Sequence, residues 1–337
     1  MTRHSHDSID KNQEDNMQIN LFKLTLPALL TIALMPAVAQ DRGSSVKLLV
    51  GYSAGGALDS VARAVADNLR VTLQQTVVVE NKPGANQRLA IAEVKRSRPD
   101  GQTIVIANNG PFTLFPHLYK NLDFDPVKDF TPIGRLAGME LCLSVGPKVP
   151  SGGMKELVAW AKANPSEAAY ATSGPATMGQ FVGIMLGKAT GVDFNHIPYK
   201  GGSPALLDVA AGQVPVSIDT CLEPMELAKS GKVRILATTG RKRNPELPTV
   251  PTLRESGFDV VAEGYVGVYA PANLPPEVAQ RLVQAVATAG KAPEVLRRIT
   301  QAGMIVDYGK PEELAAAQAA GVETWRAPIK ASGMTLD

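Results

Sequence analysis

The chain has 337 residues, a length that predicts about two domains. Its hydrophobic fraction of 45% and charged fraction of 20% are ordinary for a globular protein and exclude a disordered chain. The aromatic fraction of 5% and the formal net charge of +2 argue against nucleic-acid binding. The two cysteines lie outside any CxxC motif, which argues against a structural metal site, and no cofactor is expected.

Residues 17–40 have the pattern of a secretory signal peptide. Lys23 supplies a positive charge, an apolar run occupies residues 24–35, and Ala37-Val38-Ala39 forms a small-residue cleavage site. A buried helix or a membrane anchor is the alternative. It is disfavoured because the run is short for a stable span and the small residues lie where a signal peptidase requires them.

Residues 1–39 are therefore predicted to be removed on export. Met17 is the expected start, and residues 1–16 are interpreted as an upstream extension. The mature chain of 298 residues is expected to be a monomer in the periplasm, which is an oxidising compartment.

Strand and helix patterns alternate along the mature chain. In chain order they are strand 46–50, helix 59–73, strand 76–80, a helix ending before the turn at 98–101, strand 103–107, helix 154–163, strand 168–172, helix 178–190, strand 193–197, helix 203–211, strands 214–218 and 233–238, and helices 276–288, 292–301 and 311–324. This alternation predicts an α/β fold with largely parallel sheets.

Five polar or glycine-rich loops follow predicted strands. They are residues 51–59, 108–110, 172–179, 198–203 and 219–220. Each alone is also consistent with a plain connection or a helix cap. Together they lie at the carboxyl ends of strands, where open α/β sheets bind ligands, and glycines followed by a helix start favour an anion. None contains a nucleophile paired with a base, so the loops favour binding over catalysis.

Residues 51–55 also match G-x-S-x-G, the motif around the nucleophile of serine hydrolases. A secreted hydrolase using Ser53 is therefore the alternative function. Three features count against it. One strand of the mature chain precedes the motif, the last histidine, His196, lies in a strand pattern, and no HGGG-type segment is present.

Further motifs occur in a fixed order from about Val46 to the C-terminus. They read GGALD (55–59), VENKPGA (79–85), PDG (99–101), DPVKDF (125–130), HIPYKG (196–201), GQV (212–214), LPTVPT (247–252) and AP (270–271). The chain thereby resembles the Bug family of periplasmic solute-binding proteins, the receptors of tripartite tricarboxylate transporters.

The resemblance implies the type II periplasmic-binding-protein fold, with two α/β lobes, a hinge of crossing strands and a ligand cleft between the lobes. Lobe 1 would hold residues 40–140 and 253–337, and lobe 2 residues 141–252. The implied function is non-catalytic capture of a small organic carboxylate for uptake or sensing. The implied partners are membrane subunits of a tripartite tricarboxylate-type transporter.

Site residues follow from the resemblance and from the loops. Positions that match the family's carboxylate-gripping loops are Ser53, Ala54, Gly55, Gly56, Asp59, Ser173, Gly174 and Thr177. The other strand-end loops add Asn108 and Asn109, and Tyr199 and Asp219 are expected near the cleft.

The chain departs from the family pattern in three places. Ser53-Ala54 replaces the usual prolines, residues 174–180 lack one glycine and a histidine, and residues 86–90 replace a glycine-rich stretch. Arg88 in that stretch is a candidate selectivity residue for a second carboxylate, and a solvated surface arginine is the alternative. A monocarboxylate, aromatic or aliphatic, and a dicarboxylate therefore both remain open.

Cys142 and Cys221 face the same oxidising compartment, and their even number favours a disulfide. Both lie near ends of predicted strands in lobe 2. Two separate buried thiols are the alternative, because the spacing does not show whether the Cα atoms approach closely enough.

Overall fold

The computed structural model describes residues 45–336, and the predicted signal peptide lies outside the described residues. The strands are β1 (Val46–Val50), β2 (Val77–Asn81), β3 (Thr103–Asn108), β4 (Phe130–Val145), β5 (Ala169–Thr172), β6 (Asn195–Pro198), β7 (Val216–Thr220), β8 (Arg234–Thr238), β9 (Glu263–Pro271) and β10 (Ile305–Gly309). The helices are α1 (Ala57–Leu73), α2 (Arg88–Arg96), α3 (Gly110–Thr113), α4 (Phe115–Leu118), α5 (Met154–Ala163), α6 (Met178–Thr190), α7 (Gly202–Ala210), α8 (Leu222–Lys229), α9 (Pro276–Ala289), α10 (Pro293–Gln301) and α11 (Pro311–Ser332).

Two sets of parallel strands form the outer parts of the sheet. β1 pairs in parallel with β2 and β3, and β5 pairs in parallel with β6 and β7. Within residues 45–336 the strand order is β2-β1-β3-β9-β4-β7-β5-β6, with β8 and β10 also paired to β4. The predicted α/β class is confirmed.

The sheet is mixed rather than largely parallel, which corrects the sequence prediction. β4 runs antiparallel to β7, β8, β9 and β10. The sequence pattern does not predict β4, because Pro132, Gly134 and Gly138 interrupt its apolar run. The register of β4 with β9 shifts between Pro132 and Gly134 and between Arg135 and Ala137, so bulges accommodate the irregular residues.

β4 joins the two parallel sets as one continuous strand. Up to Glu140 it pairs with β9, and from Leu141 onward it pairs with β7 and β8. The changeover lies where the sequence analysis places a lobe boundary. The division into lobes 40–140 with 253–337 and 141–252 stays a prediction.

The first parallel set is covered on both faces. Leu48 and Leu49 point to opposite sides of β1, and both are 0% exposed. Leu48 packs in a cluster that includes residues of α1, α9 and α10, whereas Leu49 shares a cluster with residues of α2 and with Trp325 of α11. This two-sided burial explains the continuous apolar run of β1, and it leaves the strand ends as the places where a ligand can enter.

Thr239 ties together the segments that connect the two strand sets. Its hydroxyl accepts a hydrogen bond from the backbone N–H of Leu141 at 2.9 Å and donates one to the carbonyl of Ala262 at 2.6 Å. Its backbone N–H bonds the carbonyl of Leu141, and its carbonyl accepts from the N–H of Ala262. The changeover point of β4 is therefore fixed to the residues after β8 and before β9.

Glu140 is buried beside this junction, at 6% exposure. One of its carboxyl oxygens has no hydrogen-bond partner within the described part of the chain, and the other lies against Gly240. Burial raises the pKa of Glu140 to about 7, and the charge of Glu263 adds to this effect, whereas hydrogen bonds from Asn244 and the Gly240 backbone partly offset it.

The burial of Glu140 predicts a pH-dependent stability. Its folded pKa of about 7 lies above the ordinary 4.5, so between these values the folded state holds a proton that the unfolded state has lost. The contribution of Glu140 is complete below pH 4.5 and is lost as the pH rises through 7. Glu140→Gln lacks this titrating carboxyl. We expect its free energy of unfolding to decline less than that of wild type between pH 5 and pH 8, by up to about 3 kcal/mol, in urea unfolding experiments.

Exposed Glu226 is the matched control for this experiment, since Glu226→Gln should leave the pH dependence unchanged. Parallel pH profiles for wild type and Glu140→Gln would show that the Glu140 carboxyl titrates normally.

Cys142 of β4 and Cys221 at the start of α8 form a disulfide, with Cα atoms 4.9 Å apart. The predicted bond is confirmed. It links β4 to the residue that follows β7, next to Asp219 and Thr220.

The bond closes a long stretch of chain, with a sequence separation of 79 residues. Replacing both cysteines by serine should therefore lower the free energy of unfolding by about 2–4 kcal/mol in guanidinium titrations. Wild-type protein treated with dithiothreitol should behave like the double variant. Two free thiols in denatured, unreduced wild-type protein would contradict the bond.

Candidate functional site

A cavity of about 270 Å³ lies where the carboxyl ends of β3, β5 and β7 approach one another. It brings together five of the predicted residues: Asn108, Asn109, Ser173, Thr177 and Asp219. None of its described lining residues is a lysine, arginine or histidine, and Asp219 is the one acid among them. Its apolar wall consists of Pro111, Leu114, Phe115, Met139, Leu141, Ala176 and Met178.

The start of α6 faces this cavity. The hydroxyl of Thr177 donates to the carbonyl of Gly174 at 3.0 Å, so it does not cap the helix. Met178 and Gly179, the first residues of the thirteen-residue helix, line the cavity. The N-terminal N–H groups and the helix dipole thus present positive potential to a ligand.

Asp219 holds the loop that precedes α6. Its carboxylate accepts hydrogen bonds from the backbone N–H of Ser173 at 2.7 Å and from that of Thr220 at 2.8 Å. Burial raises its pKa, the hydrogen bonds from Ser173 and Thr220 oppose the rise, and the charge of Glu223 adds to it. The Ser173 N–H is therefore not available to a ligand, and the main role of Asp219 is to hold this loop in place.

The glycine-rich loop after β1 reaches the cavity only through Tyr52, a residue that the sequence analysis did not select. Ser53, Ala54, Gly55 and Gly56 are exposed and do not line it.

Asp59 also lies apart from the cavity and is 2% exposed. It accepts hydrogen bonds from the N–H of Gly55, from Arg63 and from Asn81, each at 2.9 Å. Burial alone would raise the pKa of Asp59, but these bonds, with that from Arg63 foremost, lower it below its ordinary value. Asp59 therefore fixes the glycine-rich loop to α1 and β2.

Two other predicted residues point elsewhere. The Tyr199 hydroxyl donates to Asp208 at 2.7 Å, on the side of α7. Arg88 pairs with Asp123 at 2.9 Å and lies over the ring of Tyr119, 4.5 Å from its centre. The structure does not bring Arg88 to the cavity.

Gln87 was also missed, although it lines the cavity and is 1% exposed. Ala85, Asn86 and Gln87 have φ values of 44°, 51° and 76°, a region that favours glycine. The signal was the departure from the glycine-rich pattern at 86–90. Non-glycine residues are held here in a conformation that persists only where surrounding contacts maintain it.

A larger cavity of about 700 Å³ contains none of the predicted site residues. Met139 lines both cavities, so β4 separates them. Four of the charged residues that line this larger cavity form two ion pairs, Arg135 with Asp307 at 3.0 Å and Arg241 with Glu263 at 3.2 Å.

Ser53 lacks the neighbours of a hydrolase nucleophile. Within residues 45–336, His117 contacts the carbonyl of Val322 and His196 contacts the Thr172 hydroxyl, so neither histidine bonds Ser53. In the same range no group of three or more His, Cys, Asp or Glu side chains is placed to hold a metal ion. Nor is any described helix long and apolar enough to cross a bilayer.

A sequence model of the tripartite tricarboxylate transporter family receptor, TctC, matches residues 61–334. The chain belongs to this family. A UPF0065 protein from the gbd 5′ region of Cupriavidus necator is 38% identical over 262 residues, which are 77% of this chain and 79% of the relative. BugT of Bordetella pertussis is 27% identical over 293 residues, covering 86% and 90% of the two chains.

Three solved structures resemble this chain in fold over most of its length. The periplasmic binding protein BugD superposes with a TM-score of 0.70 at 34% identity, covering 86% of this chain and 98% of BugD. MatC from Rhodopseudomonas palustris with bound malate superposes with a TM-score of 0.70 at 27% identity, covering 85% of this chain and 98% of MatC. An R. palustris protein with adipate superposes with a TM-score of 0.73 at 29% identity, covering 86% of this chain and 98% of that protein.

The clamp made by Asp219 predicts a local effect of Asp219→Asn. The amide keeps one acceptor oxygen, so one of the two backbone N–H groups loses its partner. We expect the free energy of unfolding to fall by about 1–2 kcal/mol and amide exchange in residues 172–180 to accelerate, measured by urea titration and hydrogen-exchange mass spectrometry. Asp193→Asn, at an exposed position, is the control. Unchanged exchange in 172–180 would show that Asp219 does not hold this loop.

Proposed function

We propose that this TctC receptor is an extracytoplasmic solute-binding protein that captures a small organic carboxylate in the 270 Å³ cavity and performs no catalysis. The observation that carries the proposal is the start of α6, which faces a cavity without a cation among its described lining residues and is not capped by its own Thr177 side chain. The malate and adipate bound by two related structures support the ligand class.

Neutral groups suffice to hold one carboxylate here. Each oxygen of a carboxylate accepts two or more hydrogen bonds, and backbone N–H groups at a helix start supply them together with a favourable dipole. The Thr177 hydroxyl already donates to Gly174, and the Asn109 amide donates to Thr113 and to the sulfur of Met178, so the backbone N–H groups are the main donors here. The absence of a cation among the described lining residues leaves no ion pair for a second carboxylate in this conformation.

Much of the cavity lining is apolar, with Leu114, Phe115 and Leu141 among its residues. It suits the hydrocarbon body of the ligand, aliphatic or aromatic, because burial of that surface adds affinity without requiring further polar partners. The arrangement therefore favours a carboxylate at one end and an apolar body at the other.

We further propose that lobes 40–140 with 253–337 and 141–252 close on the ligand about the β4 changeover. The exposed loop at residues 53–56 would reach the ligand upon closure, and Ser173 to Thr177 would grip it from the other lobe. Identical small-angle scattering profiles with and without a saturating bound carboxylate would contradict closure.

The predicted signal peptide supports a periplasmic location, and the family supports delivery to tripartite tricarboxylate-type membrane subunits, with the receptor acting as a monomer. The same capture would serve sensing equally well. Native mass spectrometry of protein purified from its own periplasm would weigh any retained ligand and report the oligomeric state.

The proposed anion site predicts a specific competition. In Thr177→Asp a carboxylate would stand at the N-cap of α6, where Asp stabilises a helix and occupies the N–H groups that the ligand needs. We expect thermal stability to be kept or raised, while the thermal shift produced by malate, adipate or benzoate is lost. Uncharged methyl benzoate should produce no shift in either protein.

Ala292→Asp is the matched control, because it places the same charge at the N-cap of α10, away from the cavity. It should bind the acids like wild type. If none of the acids shifts wild-type protein, the proposed ligand class is wrong. Labelling of Ser53 by a fluorophosphonate probe with turnover of an aryl ester, both abolished in Ser53→Ala, would favour the hydrolase instead.

A further inference from the structure

A chain of hydrogen bonds runs from the backbone of β3 to the cavity. The backbone N–H of Asn108 donates to Oε1 of Gln87 at 3.3 Å, and Nε2 of Gln87 donates to Oδ1 of Asn108. Nδ2 of Asn108 then donates to the hydroxyl oxygen of Tyr52 at 2.8 Å. All three side chains line the cavity.

The direction of this chain is set at its first link. A backbone N–H can only donate, so the Gln87 atom facing it must be the amide oxygen. The Gln87 nitrogen then faces Asn108 and must meet the Asn108 oxygen. The Asn108 nitrogen is left to face Tyr52, whose hydroxyl oxygen accepts. Each amide is thus locked in one of its two orientations.

The Tyr52 hydroxyl is the last group of this hydrogen-bond network, and its proton is left for a partner outside the network. Its oxygen is occupied as an acceptor, and the proton has no acceptor among the described residues. Burial raises the pKa of Tyr52, whereas the hydrogen bond from Asn108 lowers it. The hydroxyl consequently keeps its proton at neutral pH and is free to donate it to a group inside the cavity.

Neighbouring groups hold both ends of this hydrogen-bond network in place. Nδ2 of Asn81 donates to the carbonyl of Tyr52 at 3.0 Å and also to the carboxylate of Asp59, so it links Tyr52 to Asp59. Gln87 is 1% exposed with a φ of 76°, and a Cβ on Gly51 would collide with its side chain. Gln87 therefore has little freedom to rotate its amide.

We propose that Gln87 is a positioning residue that acts through Asn108 to make the Tyr52 hydroxyl an obligatory hydrogen-bond donor, so that the cavity selects a ligand with an acceptor oxygen, such as a carboxylate oxygen, at that point. This inference rests on the proposed function and adds a specificity-determining contact to it. A ligand that presents an ammonium or another donor there would meet a hydroxyl whose proton points at it and whose oxygen already accepts a hydrogen bond from Asn108.

Neutron diffraction on a deuterated crystal tests the polarity without any ligand. The expected density places deuterium on Asn108 Nδ2 toward Tyr52 and points the Tyr52 deuteron into the cavity. A Tyr52 deuteron directed at Asn108 would overturn the proposal, whatever the protein binds.

Calorimetry with malate and adipate tests the consequence for binding. Tyr52→Phe removes a hydrogen bond to a charged group, so affinity should fall about ten- to a hundredfold. Gln87→Glu has the same shape but only acceptor oxygens, so it should turn Asn108 around, engage the Tyr52 proton and lower affinity similarly. The double variant should be no weaker than Gln87→Glu, because both carry the same added charge and neither offers the Tyr52 proton to the ligand.

The effect of the added negative charge is measured separately, because it must appear as a further loss of affinity when Gln87→Glu is introduced into the Tyr52→Phe variant. Tyr119→Phe, which removes a hydroxyl beside Arg88 outside the cavity, should bind like wild type. Equal affinities of wild type and Tyr52→Phe would refute the contact. Failure of wild type to bind either acid would instead count against the proposed function, with the neutron result still deciding the polarity.

Discussion

The structure depends on one strand that hydrogen-bonds in both halves of the sheet. β4 is sixteen residues long and changes partners between Glu140 and Leu141, from β9 to β7 and β8. Because Thr239 holds the changeover at Leu141 and the disulfide holds it at the next residue, Cys142, the two parallel strand sets are fixed at a shared junction. Their carboxyl ends meet beside it, and Met139 of the same strand lines the cavities on both sides.

Charge is used in an unexpected way around the candidate site. The two acids predicted there, Asp59 and Asp219, accept hydrogen bonds from backbone N–H groups of the loops that contain or face them, so their carboxylates hold these loops in place. Apart from Asp219, the described residues that line the cavity are neutral. Under the proposed function, such a lining avoids the cost of burying an unpaired charge when the cavity is empty, and it would bind an anion through many partial charges aligned in advance.

Backbone geometry gives this neutral wall its direction. A hydroxyl or an amide can act as donor or acceptor, and by itself it discriminates little between ligands. Once a backbone N–H fixes the first group, each following group has one orientation left, and the last one presents a defined donor to the cavity. The unusual φ values at Ala85 to Gln87 are consistent with this constraint, since the contacts of Gln87 maintain a conformation that glycine would adopt more easily.

The sequence by itself determined the α/β class, most helices and the short buried strands, because their apolar periodicity and turn residues are local properties. It also located the strand-end loops, and the family resemblance named the class of ligand. Only the tertiary structure decided that β4, β9 and β10 make the sheet mixed, that Cys142 and Cys221 are bonded, and that Tyr52 and Gln87 face the cavity while Arg88 and Tyr199 do not. The reason is physical. Bulged strands with proline and glycine lack a local pattern, and the direction of a side chain depends on partners that are distant in sequence.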